Sequence, residues 1–264
     1  MTTKPLIQVT DLTMGWGDRV LLKGASFAVQ RGDIFAILGG SGCGKSTLLR
    51  YLIGLERPMT GTIKIDGISE SHLEVSRPPF GVMFQSGALL GSMTVGENVA
   101  LPLQEWTNLP PDAVLAIARA KLRLVGLQDA ENKLPSELSG GMKKRAAIAR
   151  AMALEPELIF LDEPSAGLDP ISSVELDELI LILNKGLGLT VVLVSHELAS
   201  IYSIVKNCIL LDADSTSIIA RGNPAELRDT STDPRVIRFL KRSPTQPSEY
   251  LAAPVGGTPK ESSS

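Results

Sequence analysis

The sequence predicts an α/β fold with an antiparallel β-subdomain and an inserted helical subdomain. Short apolar runs at residues 34–38, 158–161 and 190–194 are typical of buried strands, and helical patterns follow them. Residues 7–30 alternate in the manner of half-buried strands, whereas residues 94–135 change to helical patterns interrupted by prolines. Together these three observations favour a mixed fold without internal repeats.

The length fits one large α/β domain or a core plus a subdomain, and the composition limits the classes of possible partner. The chain has 264 residues, and its hydrophobic content of 44% is enough for a substantial core. The formal net charge of −3 provides no basic field, so we expect no nucleic-acid partner. The two cysteines, Cys43 and Cys208, form no disulfide framework and fit a reducing compartment.

No segment of the sequence predicts secretion or membrane insertion. The N-terminus lacks the apolar core of a signal peptide. No apolar run approaches the ~18 residues that a membrane-spanning helix needs. We therefore expect a soluble cytoplasmic protein whose membrane role, if it has one, comes through partners.

A strand, a glycine-rich loop and a helix follow one another over residues 34–53 and predict a phosphate-binding loop. Gly39, Gly44, Lys45 and Ser46 satisfy the pattern of that loop. Glycines let successive backbone N–H groups point into one concavity, and the helix adds its unsatisfied N-terminal donors. Lys45 is expected to neutralise the terminal phosphates and Ser46 to ligate Mg²⁺. The predicted loop consists of Gly39, Gly40, Ser41, Gly42, Cys43, Gly44, Lys45, Ser46 and Thr47.

Turn signals and prolines divide the chain into parts. The α/β core with its β-subdomain is expected at residues 1–85 and 136–242, and the helical subdomain at residues 86–135. A flexible tail rich in proline, glycine and serine is expected at residues 243–264. Breaks in the helical subdomain are predicted at Pro102, Pro110, Pro111 and Pro135.

Two carboxylates, Asp162 and Glu163, stand at the C-terminal end of the apolar run 158–161. In open α/β sheets, ligands bind at that edge. Asp162 is expected to hold Mg²⁺, and Glu163 can orient and deprotonate an attacking water. The simpler alternative is a pair of carboxylates that cap the next helix, but the phosphate loop in the same chain argues against it.

Three further elements could serve the same site. Ser139 is a good N-cap before Gly140 and Gly141, which makes either an ordinary helix start or a second helix N-terminus fitted for an anion. His196 follows a buried strand and could donate to a γ-phosphate, although a lone histidine is more often structural. Trp16 is placed in a loop between the first two strands, where its ring either stacks on a purine or is simply exposed.

The chain resembles the ATPase subunits of the ATP-binding cassette (ABC) family in the order of its motifs. These are the phosphate loop, Gln85 after a strand, LSGGM at 138–142, the acidic strand with Glu163, SAGLD at 165–169 and His196. The resemblance covers about residues 6–225. It implies a RecA-like phosphate-loop NTPase core, the ligands ATP and Mg²⁺, and ATP hydrolysis coupled to transport.

The resemblance also implies residue roles. Trp16 matches the adenine-stacking aromatic, and Gln85 matches the residue that senses Mg²⁺ and water. In a head-to-tail homodimer, residues 139–141 of one protomer would face the γ-phosphate bound by Lys45 of the other, and Asp169 matches the loop that crosses the interface. The implied catalytic set is Glu163, His196, Gln85 and Lys45. The implied metal set is Ser46, Gln85 and Asp162.

One departure from the family's usual sequence narrows the resemblance to a subgroup of the family. Most of the family has glutamine after LSGG, whereas this chain has Met142. With segments 84–90, 93–103 and 233–240, the chain is similar to the ATPases of Mla/Mce-type lipid transporters. This implies a peripheral subunit on the cytoplasmic face of the inner membrane, with permease subunits and an Mce-domain lipid-binding subunit as partners. The alternatives are an ABC ATPase for a metal, amino acid or lipoprotein, and a soluble nucleotide-binding regulator.

Overall fold

The computed structural model describes residues 4–69 and 77–241, and the predicted tail at 243–264 lies outside them. The strands of the described part are β1 (Ile7–Trp16), β2 (Arg19–Val29), β3 (Ile34–Gly39), β4 (Thr60–Ile65), β5 (Ile68–Ser69), β6 (Gly81–Met83), β7 (Leu158–Asp162), β8 (Thr190–Val194), β9 (Asn207–Asp212) and β10 (Ser217–Gly222). The α-helices are α1 (Lys45–Leu52), α2 (Val95–Trp106), α3 (Pro111–Leu124), α4 (Gly140–Ala151), α5 (Pro170–Leu187), α6 (Leu198–Ile204), α7 (Pro224–Thr230) and α8 (Pro234–Lys241). Short 3₁₀ helices occupy Gln128–Ala130 and Pro135–Glu137. None of the helices in the described ranges is long and apolar enough to cross a membrane.

The core is a six-stranded sheet in the order β10-β9-β3-β8-β7-β6. The strands from β9 to β6 run parallel, and β10 pairs with β9 antiparallel. Every residue of β3 and β8 is buried, as expected for strands covered on both faces. Because parallel strands end at the same edge, the segments after β3, β6, β7 and β8 come together there. The predicted α/β fold is confirmed.

A second, antiparallel sheet in the order β2-β1-β4-β5 forms the predicted β-layer. Its side chains share one hydrophobic cluster with α1 and with Phe35 and Phe160 of the core sheet. Two strand segments predicted separately at residues 20–22 and 25–29 form the single strand β2. The prediction of a loop at Trp16 is wrong, because Trp16 ends β1 and pairs with Arg19 across a tight turn.

The predicted helical insertion contains α2 and α3, between β6 and α4. The predicted break at Pro102 is wrong, because Pro102 lies inside α2. A capping box of Thr94 and Glu97 closes the N-terminus of this helix. Val99 and Leu103 bury its apolar face in the core. These interactions outweigh the hydrogen bond that a proline removes from a helix interior.

Candidate functional site

A cleft of about 610 Å³ lies at the edge where β3, β7 and β8 end. It brings together twelve of the residues that the sequence analysis selected. These are Trp16, Gly39, Gly40, Ser41, Gly42, Gly44, Lys45, Ser46, Thr47, Gln85, Glu163 and His196. Asp162 reaches the same place through its contact with Ser46. The structure therefore gathers the phosphate loop, the acidic strand end and the histidine around one volume.

The phosphate loop depends on its glycines. Gly39, Gly42 and Gly44 have φ angles of 152°, 76° and 96°, which side-chain-bearing residues rarely adopt. A Cβ atom on Gly39 would stand 2.4 Å from Sγ of Cys43, a distance that no real contact reaches. Gly44 is the N-cap of α1 and places no side chain over the first N–H groups of that helix. Such an open helix N-terminus is an anion-binding arrangement.

Lys45 and Ser46 are held by groups around the loop. The Lys45 ammonium donates to the carbonyl oxygens of Gly39 and Gly40, both at 2.9 Å. The Ser46 hydroxyl donates to Oδ1 of Asp162 at 3.2 Å. Burial raises the pKa of Asp162, and the Ser46 hydrogen bond opposes that shift. A hydroxyl and a carboxylate side by side are hard oxygen ligands, so this pair fits the predicted Mg²⁺.

Glu163 is held in place by contacts of its backbone and of its side chain. Its backbone has a φ of 48°, in the left-handed region, and its N–H donates to the carbonyl oxygen of Val194 at 2.9 Å. Its Oε1 lies 2.8 Å from Nδ1 of His196. Its Oε2 is buried and has no hydrogen-bond partner within residues 4–69 and 77–241. The carboxylate is therefore oriented by His196 and keeps one oxygen for a further hydrogen bond in the cleft.

Lys144, for which no role was predicted from the sequence, contacts the backbone of Glu163. Its ammonium donates to the carbonyl oxygen of Glu163 at 3.1 Å and to that of Gln85. Burial lowers the pKa of Lys144, whereas the charges of Asp162 and Glu163 act to raise it. No spacing signal in the sequence distinguishes this lysine from its neighbours on α4, because its burial depends on the packing of α4 against β6.

The residues of the LSGG element do not line the cleft of their own chain. Ser139 is the N-cap of α4, as predicted, and its hydroxyl accepts the Met142 N–H at 3.2 Å. A Cβ on Gly140 would lie 3.3 Å from Leu168, so this helix start packs against the loop at 165–169. Asp169 caps α5 by accepting two backbone N–H groups, at 3.0 and 3.1 Å.

Some residues of the cleft were missed, and one predicted residue behaves differently. Arg19, Leu21 and Phe239 line the cleft without having been predicted. Phe239 comes from α8, whose amphipathic pattern is visible in the sequence although the surface it meets is not. The Cys43 side chain is buried in the core, and burial raises the pKa of its thiol. Cys43 can therefore serve the loop only through its backbone.

A mostly parallel core sheet with a glycine loop, an adjacent hydroxyl and carboxylate pair, and an oriented glutamate defines a phosphate-loop nucleotide-binding protein. The sequence profile of the family described as "ABC transporter" matches residues 22–166. The chain belongs to this family. Family membership confirms the resemblance seen in the sequence, together with the predicted fold and the predicted enzyme class, an ATPase.

Similar proteins agree with this assignment. The intermembrane phospholipid transport system ATP-binding protein MlaF of Haemophilus influenzae is 44% identical over 241 residues, which are 89% of this chain and 90% of the relative. The probable ribonucleotide transport ATP-binding protein mkl of Mycobacterium tuberculosis is 39% identical over 239 residues, 89% of this chain and 66% of that protein. A dimeric post-hydrolysis state of the ATP-binding cassette MJ0796, bound to ADP and Pi, superposes with a TM-score of 0.73 at 29% identity, covering 82% of this chain and 98% of that one.

Proposed function

We propose that this chain is the ATP-hydrolysing subunit of a membrane transporter that moves phospholipids or related lipids. One observation carries the hydrolytic part: the Glu163 carboxylate, oriented by His196, shares a cleft with the phosphate loop. The lipid substrate is supported by the 44% identity to MlaF over 90% of that protein.

ATP binding is assigned to the phosphate loop and two aromatic side chains. Lys45 would exchange the carbonyl oxygens of Gly39 and Gly40 for the β- and γ-phosphates, and the open N-terminus of α1 would add backbone donors. Trp16, 51% exposed at the mouth of the cleft, would stack on adenine, with Phe239 as a second apolar wall.

Ser46 and Asp162 would hold Mg²⁺ together with the side chain of Gln85, which lines the same cleft. When bound, Mg²⁺ would neutralise charge that develops on the phosphates. Burial raises the pKa of Asp162, and a cation held beside this carboxylate would offset that penalty on its charged form.

Hydrolysis is assigned to Glu163 and His196. The free oxygen of Glu163 would accept the proton of a water as that water attacks the γ-phosphorus, and the bond to the bridging oxygen of ADP would break. His196 would keep the carboxylate in position and donate to the γ-phosphate. Positioning and charge stabilisation would supply most of the rate gain, since direct attack by water requires no covalent bond to the protein.

The second half of each ATP site would come from another copy of the chain. Residues 139–141 lie outside the cleft of their own chain, and α4 begins with backbone donors there. The similar cassette MJ0796 is dimeric, at 29% identity. In a head-to-tail homodimer, Ser139, Gly140 and Gly141 of one protomer would meet the γ-phosphate held by Lys45 of the other.

Permease subunits would bind next to Gln85, on the cytoplasmic face of the inner membrane. Phe84 and Leu90, close to Gln85 in the sequence, are 37% and 45% exposed, and Trp106, which lines a cavity with Gly81 and Val82 of β6, is 45% exposed. These side chains offer an apolar surface. The helical subdomain proposed at 86–135 would pass the motion of the ATP site to the permease, and an Mce-domain subunit would receive the lipid.

The test is to purify the chain with the proteins encoded beside it. The complex should release phosphate from ATP, and organic extraction followed by mass spectrometry should recover phospholipid. A complex whose Glu163→Gln variant hydrolyses ATP at the parental rate would contradict the hydrolytic assignment. A metal, amino acid, ribonucleotide or lipoprotein as the bound and transported species would overturn the lipid assignment and leave the ATPase intact.

A further inference from the structure

Lys144 is a buried cation that lies where α4 meets the segments following β6 and β7. It is 6% exposed. Its ammonium donates to the main-chain carbonyl oxygens of Gln85 and Glu163, the latter at 3.1 Å. The side chain starts from α4, the helix whose N-terminus carries residues 139–141. A single ammonium therefore joins α4 to the backbone of two residues proposed to act in hydrolysis.

Packing alone does not call for a lysine at this position. An ammonium is unfavourable in a core unless its donors are satisfied and opposite charges lie near. The following residues of α4, Ala146 and Ala147, are fully buried and apolar, as the surrounding core requires. The lysine donates two of its three hydrogen bonds to main-chain carbonyl oxygens, and the carboxylates of Asp162 and Glu163 favour its charge.

The position of Lys144 matters because each chain would contribute to two ATP sites. In the head-to-tail dimer of the proposed function, Lys45 and Glu163 act at one site and residues 139–141 at the other. Within one chain, Lys144 connects these two sets. We propose that Lys144 couples the two ATP sites as a positioning residue. A γ-phosphate at the N-terminus of α4 would fix, through Lys144, the backbone of Gln85 and Glu163 at the other site.

This inference rests on the proposed function, and its experiment uses the whole transporter complex. Phosphate release is measured against ATP concentration for the parent, Lys144→Met and Lys144→Arg. Lys144→Met should lower kcat about tenfold at an unchanged half-saturating ATP concentration, because a misplaced base costs rate and not binding. Its Hill coefficient should fall towards one, since coupled sites lose cooperativity when the coupling is removed. Lys144→Arg keeps the charge and donors and should recover most of both.

The control is Lys121→Met, on α3. Lys121 is also shielded, with a side chain 13% exposed, but its ammonium pairs with Glu155 at 3.0 Å, and neither residue lines the cleft. This variant should keep the parental kcat and Hill coefficient. Melting temperature and ATP affinity are measured for every variant. If Lys144→Met fails to fold, Lys144→Gln, which retains a donor without the charge, takes its place with the same expected loss.

The outcomes separate the two proposals. A parental complex that releases no phosphate defeats the proposed function and the inference with it. A parent that hydrolyses ATP cooperatively beside a Lys144→Met variant with the same kcat and Hill coefficient defeats the inference alone. A loss of kcat that the arginine variant does not relieve, or that follows a fall in melting temperature, shows Lys144 to be a packing residue and also overturns the coupling.

Discussion

Two helix N-termini in this chain carry the sequence features of anion-binding sites, but the groups that surround them differ. At the start of α1, Gly44 leaves the first N–H groups uncovered, and Lys45, Ser46 and Glu163 converge on the same cleft. At the start of α4, the Ser139 hydroxyl already accepts one N–H. Gly140 packs near Leu168 and Gly141 near Ser172, and neither glycine lines the cleft. In the proposed composite site, one half is assembled within a single chain, whereas the other half, at the start of α4, lies outside the cleft of its own chain.

Because the surroundings differ, substitutions in the two halves should affect different bound nucleotides. Changes in the phosphate-loop half should act on the nucleotide bound by the same chain. Changes at residues 139–141 should leave that binding intact and act on the partner's nucleotide. The following predictions, from the largest effect to the smallest, would sharpen or break this comparison.

Glu163→Gln should reduce phosphate release by about 10³-fold, because it removes the general base while retaining the shape of the side chain. The variant should still bind ATP and should accumulate as a closed dimer, which gel filtration with ATP would detect. Glu155→Gln changes an exposed glutamate of the same charge and should behave like the parent. Phosphate release by Glu163→Gln at the parental rate would show that the base lies elsewhere.

Lys45→Ala should raise the Kd for ATP about 100-fold, since it removes a charge-assisted contact to the phosphates. Turnover should be lost as a result. Equilibrium dialysis of the purified chain measures the affinity, with Lys121→Ala as the control for the loss of a lysine. An unchanged Kd would mean that the ammonium stays on the carbonyl oxygens of Gly39 and Gly40 when ATP binds.

Gly141→Asp should leave ATP binding within about twofold of the parent but prevent the closed dimer, since its carboxylate would repel the partner's γ-phosphate. A Cβ at this position meets Ser172 at an ordinary 3.6 Å, so the fold should tolerate the change. The sharpest readout is a mixed dimer. Lys45→Ala paired with Gly141→Asp places both defects in one composite site and leaves the other intact. Partial recovery of activity on mixing is expected, and its absence would argue for two sites within single chains.

Phe239→Ala should raise the Kd for ATP about two- to tenfold, the range that an aromatic contact supports. The matched control is Ile237→Ala, an apolar truncation on the same helix that does not line the cleft. Equal effects of the two variants would mean that α8 only stabilises the fold. A selective effect would extend the phosphate-loop half to a helix beyond the region matched by the family profile.

The assembled half of the site was the easier to predict. The glycine-loop pattern predicted Lys45, and strand-end positions predicted Asp162, Glu163 and His196, because parallel strands deliver their C-terminal residues to one edge. Lys144 and Phe239 could not be found in this way, since their positions depend on how α4 and α8 pack against distant strands. The prediction of a break at Pro102 was wrong for a similar reason. The N-terminal cap and the buried face of α2 stabilise the helix enough to tolerate a proline inside it.

The backbone conformation of Glu163 affects the balance between stability of the fold and activity. A side-chain-bearing residue with φ of 48° costs roughly 1–3 kcal/mol relative to a relaxed conformation, and glycine avoids most of that cost. The carboxylate also buries an oxygen without a partner in the described part of the chain. The residue best suited to a long-lived fold at position 163 is therefore not the one present. In the proposed function, a glutamate at this position gives up some stability of the fold in exchange for a base beside the phosphate loop.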